Sequence, residues 1–312
     1  MVFNDDQMSR YKGYLLSTLV SFDHFCNKHS LRWYAAYGTV IGAIRHHGFI
    51  PWDDDIDIIM PREDYERFID LANCTDKGFS ILTPYNTKNY SVTFCKYCCN
   101  CMTQWELKDY EYVMGAYIDV FPLDFAPASI QECRKNQELF CKVALDYHSS
   151  NTKPSLKKLI KKTYELKRSD VIFLIKSYYY RLSQSKKAIV KLREVDSLIA
   201  HSGRKDGKYL VSYHGMYGEK EIVKKEWFDE SISVPFENIE IKIPKMYDEY
   251  LKHIYGDYMK LPSKEKQKSH HYRYYFDIDS ERVLTMSEVR ECVKKIPSKM
   301  LEVENLTYLI KY

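Results

Sequence analysis

Residues 37–60 read YGTVIGAIRHHGFIPWDDDIDIIM, and this stretch decides how the rest of the chain is read. Gly38-Thr39 stands just before a short apolar, helix-like run, a proline-marked turn follows, and four aspartates then fall within five residues. Side chains on a β-strand alternate between faces, so Asp55 and Asp57 share one face while Ile56 and Ile58 take the other, toward a core. Two carboxylates about 7 Å apart on one face suit a divalent cation, because hard cations prefer oxygen ligands. A glycine turn opening a helix offers backbone N–H groups to a phosphate. Together these features point to phosphoryl chemistry on a metal-bound nucleotide. DDDID as a calcium loop fails, since the glycine and terminal glutamate are missing at the required offsets.

Working outward, residues 5–29 place Met8, Tyr11, Leu15, Leu19, Phe22 and Phe25 at helical spacing. A short strand, 32–36, leads into the Gly-Thr turn and a helix over 40–45. The acidic strand, 55–60, ends at Pro61, which opens the helix PREDYERFIDLA. Strands are expected at 79–83, 90–97 and 116–121, and again at 208–213 and within 231–243. Residues 129–200 are helical and lysine-rich with a break at 151–154, and a further helix covers 245–255. Strands and helices without strict alternation argue an α+β fold. The chain divides into a catalytic core (1–128), a helical basic segment (129–205) and a carboxyl-terminal α/β extension packed on the core (206–312).

Phosphoryl transfer needs charge neutralisation and an aligned nucleophile rather than covalent help from the protein. Two metals about 3.5–4 Å apart supply both when a third carboxylate converges on the pair. Asp119, amid Ile118, Val120 and Phe121, is that candidate, since a charge inside an apolar strand is costly unless it binds something. Asp124 follows Pro122, where a loop is expected, and is the weaker choice. Arg45 stands where a guanidinium reaches a diphosphate or simply ends a helix. Asp53 and Asp54 order water or hold the turn after Trp52; His46 and His47 read as loop residues. Trp52, Tyr37, Trp33 and Trp105 form either an aromatic cage for a quaternary ammonium or ordinary core. His270 and His271, beside Arg273, contact phosphate or lie in a surface loop.

The 312 residues carry nine cysteines, expected as reduced thiols. Cys95, Cys98, Cys99 and Cys101 cluster without two separated CxxC pairs, leaving structural zinc or strand thiols as readings. No apolar run approaches the roughly 20 residues of a membrane span, and the acidic amino terminus does not read as a leader. A cytoplasmic protein is expected. Residues 153–193 hold 13 Lys and Arg against 2 Asp and Glu, a net +11 that leaves −7 for the rest. Such a run is a solvated face or an attraction to an anionic polymer, lipid-linked acceptor or inner membrane surface; nucleic acid is not expected as a partner.

The segment YGTVIGAIRHHGFIPWDDDIDIIMPREDYERF resembles the signature of the LicD family, the phosphocholine transferases that decorate bacterial surface glycans, with fukutin-related transferases as distant members. YIDVFPLD and IKIPKMYDEYLKHIYGDYMKLPSKEKQKSHH continue the likeness. It covers most of the chain and explains the basic middle least. The resemblance implies a nucleotidyltransferase fold, a mixed sheet flanked by helices. Its pattern falls on Gly38-Thr39, Asp55, Asp57 and Asp119. It implies transfer of a phosphoalcohol from a CDP-alcohol, CDP-choline first, to a sugar hydroxyl of a surface glycan or teichoic-acid precursor, with Mg²⁺ or Mn²⁺ as cofactor and release of CMP. Asp55, Asp57 and Asp119 are then the metal and catalytic residues, and Gly38, Thr39, Arg45, Trp52, Asp54 and His271 the binding ones. A nucleotidyltransferase releasing pyrophosphate is the alternative.

Overall fold

The structure is a computed structural model that describes residues 1–152, 172, 175, 179, 185–269, 271–297 and 301. Most of the basic run 153–193, and His270, therefore lie outside the described residues.

Helix α1 (Asp5–Lys28) begins at a capping box: Asn4 accepts from the Gln7 amide while the Gln7 side chain reaches back, and Asp5 and Asp6 face the positive helix end. Its buried stripe, Tyr11, Leu15, Leu19, Phe22 and Phe25, is the one that the periodicity predicts. It lies across the two longest strands, β4 (Cys95–Trp105) and β5 (Met114–Phe125).

These strands centre a mixed sheet of order β1-β2-β5-β4-β10, with β1 at Tyr34–Ala35, β2 at Asp57–Pro61 and β10 at Tyr275–Asp277. β3 (Phe79–Leu82) pairs with β4, β6 (Tyr209–Val211) with β5, and β7 (Ile222–Lys224) with β6. β2 and β5 run parallel and the other pairs antiparallel. The carboxyl-terminal residues thus add three strands to the sheet that carries the acidic segment. Hairpin β8–β9 (Ser231–Phe236 and Ile239–Pro244) stands apart and packs on β1 and on α2 (Tyr37–His46). A second core joins α4 (Ile130–Asn151) and α5 (Ser185–Ser202) through Phe140, Val143, Tyr147, Leu192 and Ile199, with Val211 and Tyr213 beneath. α3 (Arg62–Asp70), α6 (Tyr247–Tyr255) and α7 (Met286–Lys294) complete the α+β fold. Among the described residues, no helix is long and apolar enough to cross a membrane.

Several boundaries move. The predicted strand 90–97 forms its ladder only from Cys95 and continues to Trp105, because β3, β5 and β10 all pair with that later stretch. The strand expected to stop at Phe121 continues through Pro122 to Phe125. Proline lacks an N–H, but β2 alongside needs none there, and β6 takes up pairing at Asp124. Asp124 is therefore a buried strand residue, not a loop residue.

Candidate active site

Register across the three central strands builds the site. Asp57 on β2 lies opposite Asp119 on β5, and Asp119 lies opposite Lys96 on β4. Directly opposed side chains share a face, so two carboxylates and an ammonium stand in one transverse row. Lys96 Nζ donates to Asp119 Oδ1 at 2.6 Å and sits 3.4 Å from the Tyr117 ring centroid. Asp55 precedes the formal strand, but the Asp119 amide bonds the Ile56 carbonyl at 2.9 Å, which continues the alignment. Ile56 and Ile58 are fully buried, as the alternation requires.

Charge in this row is unbalanced. Burial pushes the Asp57 carboxyl well up, and Asp55, Asp119 and Asp53 push it further. Burial also raises Asp119, against the pull of Lys96. Asp53 is raised to about 8 by burial and by the charge of Asp55, and burial raises Asp55 as well.

The carboxyl-terminal segment closes over this acid. Asp54 is buried, and both its oxygens are taken: Ser269 Oγ at 2.6 Å and His271 Nδ1 at 3.1 Å reach one, and Arg273 Nη1 at 2.7 Å the other. Burial alone would raise Asp54; His271, Arg273 and Ser269 outweigh it and hold the carboxyl far below its usual range. His271 then places Nε2 3.6 Å from Asp55 Oδ2. Burial disfavours its imidazolium, but Asp55 and Asp54 lift the pKa to about 10, so His271 is a cation in neutral solution. Asp54 anchors the segment, and His271 is the part that reaches Asp55.

Gly38 and Thr39 lie inside α2, not before it, and with Asp53 and Asp55 they line one narrow cleft. The Thr39 hydroxyl accepts the Asp57 amide at 2.8 Å, latching α2 to the start of β2. A Cβ at Gly38 would sit 3.2 Å from Asp53 Oδ2, so glycine lets that carboxyl lie against the helix. Arg45 donates to the Tyr258 carbonyl at 2.6 Å and to His46, and Trp52 packs near His46 with centroids 6.2 Å apart.

The four-residue aromatic cage does not form. Trp33 donates to Asp23, Trp105 packs on Tyr274 near β10, Tyr37 donates to Glu221, and Trp52 stays beside His46. Nor do the clustered cysteines converge on zinc. Cys95 and Cys98, three residues apart, enter different cores, while Cys99 and Cys101 are joined as a disulfide, against the expectation of reduced thiols throughout.

Lys96 and Glu221 are the participants that sequence reasoning missed. A lone lysine inside CKYCC was the available signal for the first, because a charge in an apolar strand demands a partner. Glu221 carried none.

Asp55, Asp57 and Asp119 suit a hard divalent cation chemically: they are oxygen donors whose mutual repulsion a cation would relieve. Among the described residues, however, no three His, Cys, Asp or Glu donors converge into a ready-made cage, and Lys96 takes one oxygen of Asp119.

A mixed sheet presenting neighbouring strand carboxylates under a cationic carboxyl-terminal flap defines a sheet-borne acidic site. Residues 30–157 match the LicD/FKTN/FKRP nucleotidyltransferase domain. Over 267 residues the chain is 30% identical to the lipopolysaccharide cholinephosphotransferase LicD of Haemophilus influenzae, covering 82% of this chain and 92% of that protein. Shorter matches, 35% over 74 residues and 34% over 70, reach uncharacterized proteins of Rickettsia typhi and Rickettsia prowazekii, covering 22% and 20% of this chain and 24% and 26% of theirs. The chain belongs to the LicD family and is a transferase.

Proposed function

We propose that this transferase moves phosphocholine from CDP-choline to a sugar hydroxyl of a cell-surface glycan precursor and releases CMP. The unbalanced carboxylate row on β2 and β5 carries this reading, in a chain that spans nearly all of a lipopolysaccharide cholinephosphotransferase. The acceptor oxygen attacks the choline-bearing phosphorus, the bond to the CMP phosphate breaks, and the acceptor proton goes to a carboxylate. Asp119 suits that proton: its raised pKa makes it a better base than a solvated aspartate, and Lys96 fixes its orientation. Asp55 and Asp57 would hold Mg²⁺ or Mn²⁺, with Asp119 as the further ligand if it is not the base. When bound, the metal would neutralise charge on the diphosphate and leaving group. His271 would add a positive charge beside Asp55, and Gly38 would bring the first turn of α2 close to the diphosphate.

The nucleotidyltransferase-type fold and a cytoplasmic location, peripheral at the inner membrane face through the basic run 153–193, belong to the same proposal. The test incubates purified protein with Mg²⁺ or Mn²⁺, a glycan acceptor and a panel of CDP-alcohols. CMP released chiefly from CDP-choline supports the reading. Pyrophosphate released from a nucleoside triphosphate, with no CMP from any CDP-alcohol, replaces it with nucleotidyl transfer.

A further inference from the structure

Three tyrosines form a corner beside the acidic row. Tyr37, the first residue of α2, has φ of 47°, in the left-handed region that bulky residues rarely adopt, so its surroundings hold it there. Buried Glu221 is one such hold: Oε2 accepts the Tyr37 hydroxyl at 2.7 Å, and Oε1 accepts the Tyr217 amide at 3.0 Å. A Cβ at Gly215 would lie 2.1 Å from that Oε1, so only glycine lets the 212–217 loop wrap the carboxylate. The Tyr217 ring stands 5.5 Å from Tyr37 and 5.2 Å from Tyr255, the latter nearly edge-on at 74°, with the two hydroxyls 2.7 Å apart. Tyr217 is 37% exposed and Tyr255 half-buried, so the corner opens outward.

Two features give the corner an electrical purpose. The corner starts at Asp57: Ala36, just before Tyr37, donates its amide to the Asp57 carbonyl at 2.9 Å, and the Thr39 hydroxyl, two residues after Tyr37, accepts the Asp57 amide at 2.8 Å. Elsewhere the chain covers aromatic rings with its own cations, as Lys96 does over Tyr117 and Arg62 over Tyr65. Among the described residues, no lysine or arginine covers Tyr37, Tyr217 or Tyr255. Negative ring faces beside carboxylates attract a cation, and one whose charge is spread over methyl groups gains most from aromatic walls. Tyr37 also adjoins Gly38 and Thr39, so this corner and the helix start suited to a phosphate meet at one point.

We propose that Tyr37, Tyr217 and Tyr255 seat the quaternary ammonium of the donor alcohol beside Asp57. This rests on the CDP-alcohol reading above and names the contact that selects among such donors.

The test uses full-length wild type, Tyr217→Ala, Tyr255→Leu and Tyr217→Phe, each offered CDP-choline and the CDP ester of 3,3-dimethylbutanol, a neutral isostere. Binding is followed by calorimetry and turnover by CMP release. Tyr217→Ala and Tyr255→Leu should raise Kd and KM for CDP-choline roughly 5- to 30-fold, with kcat within a few-fold, and lose the preference over the isostere, while Tyr217→Phe keeps it. Unchanged KM and preference in both ring-removing variants, or a wild type that treats the two esters alike, overturns the seat and leaves the reaction standing. Selective binding of CDP-choline without CMP release keeps the seat and overturns the reaction. Neither binding nor release overturns both.

Discussion

Asp119 and Asp124 stand five residues apart on one strand, both buried, in opposite surroundings. The odd spacing sends them to opposite faces. Asp119 joins Asp57, Asp55 and Asp53, where Lys96 and His271 leave the carboxyls raised by burial and by one another. Asp124 receives both arms of Arg62 at 2.6 and 2.8 Å; the same guanidinium bonds Asp196 at 3.0 and 3.1 Å, and His214 meets Asp196 at 3.0 Å. Burial would raise Asp196, yet Arg62 and His214 hold it far below its ordinary value. This second cluster is satisfied by the fixed Arg62 cation and the His214 contact, and it clamps α3, β5, α5 and the 212–217 loop together. A buried carboxylate completed by its own protein is glue; a group of them left short of positive charge is set up for a ligand.

The largest expected effect separates the two clusters. Asp57→Asn or Asp55→Asn should lower CMP release by roughly 10²–10⁴-fold. Urea midpoints should hold or rise, because losing one of several like charges relieves repulsion. Asp119→Asn should lose comparable turnover while CDP-choline binding, measured by calorimetry, largely persists. The contrast collapses if Asp57→Asn unfolds the protein or turns over normally.

Next in size is the clamp. Asp124→Asn leaves Arg62 buried and undercompensated, which costs about 3–5 kcal/mol, a large part of the 5–15 kcal/mol typical of a domain. Urea denaturation should show it directly. An Asp124→Asn protein as stable as wild type but inactive would move the catalytic carboxylate to the other face of β5.

What could be read from residues alone follows from how local each feature is. The Asp55–Asp57 alternation, the α1 stripe and the lone strand aspartate Asp119 depend on neighbours within a few positions; the structure sets Asp57 and Asp119 on paired strands, Asp55 just before the first of them, and the α1 stripe across the sheet. Lys96 opposite Asp119, Arg62 under Asp124 and Glu221 between Tyr37 and Tyr217 depend on strand register and loop path, which join residues 23, 62 and up to 184 positions apart. Pro122 misled because a missing N–H is tolerated where the neighbouring strand asks for none. Of the four rings considered for an aromatic cage, only Tyr37 belongs to the tyrosine corner; its companions Tyr217 and Tyr255 lie 180 and 218 positions further along the chain, beyond any local pattern.

A smaller effect is expected with pH. The folded protein binds more protons than the unfolded chain wherever a carboxyl is raised, so stability falls as pH rises through that window. For Asp53 it runs from the ordinary 3.8 to about 8. His271, raised from 6.5 to about 10, contributes stability below that ordinary value and loses it over that higher range. Asp196, held low, acts the other way: its contribution is present above 3.8 and lost only in stronger acid. Urea midpoints measured in chelator should therefore decline from about pH 4 to 8, and Asp53→Asn should flatten that decline. A flat wild-type profile would remove the charge imbalance from the comparison.

The smallest effect concerns the hinge between helix and acid. Thr39 was expected to grip the diphosphate, yet its hydroxyl accepts the Asp57 amide at 2.8 Å. If the latch is its whole role, Thr39→Val removes one buried hydrogen bond. That should cost about 1 kcal/mol in urea denaturation and lower turnover less than tenfold through a slight shift of Asp57, while Thr39→Ser, which keeps the oxygen, restores both. If the hydroxyl also meets the diphosphate, Thr39→Val should raise the KM for CDP-choline far more than its loss of stability accounts for. A KM raised beyond tenfold in Thr39→Val, with a melting curve shifted by only about 1 kcal/mol, would extend the acidic site onto the first turn of α2.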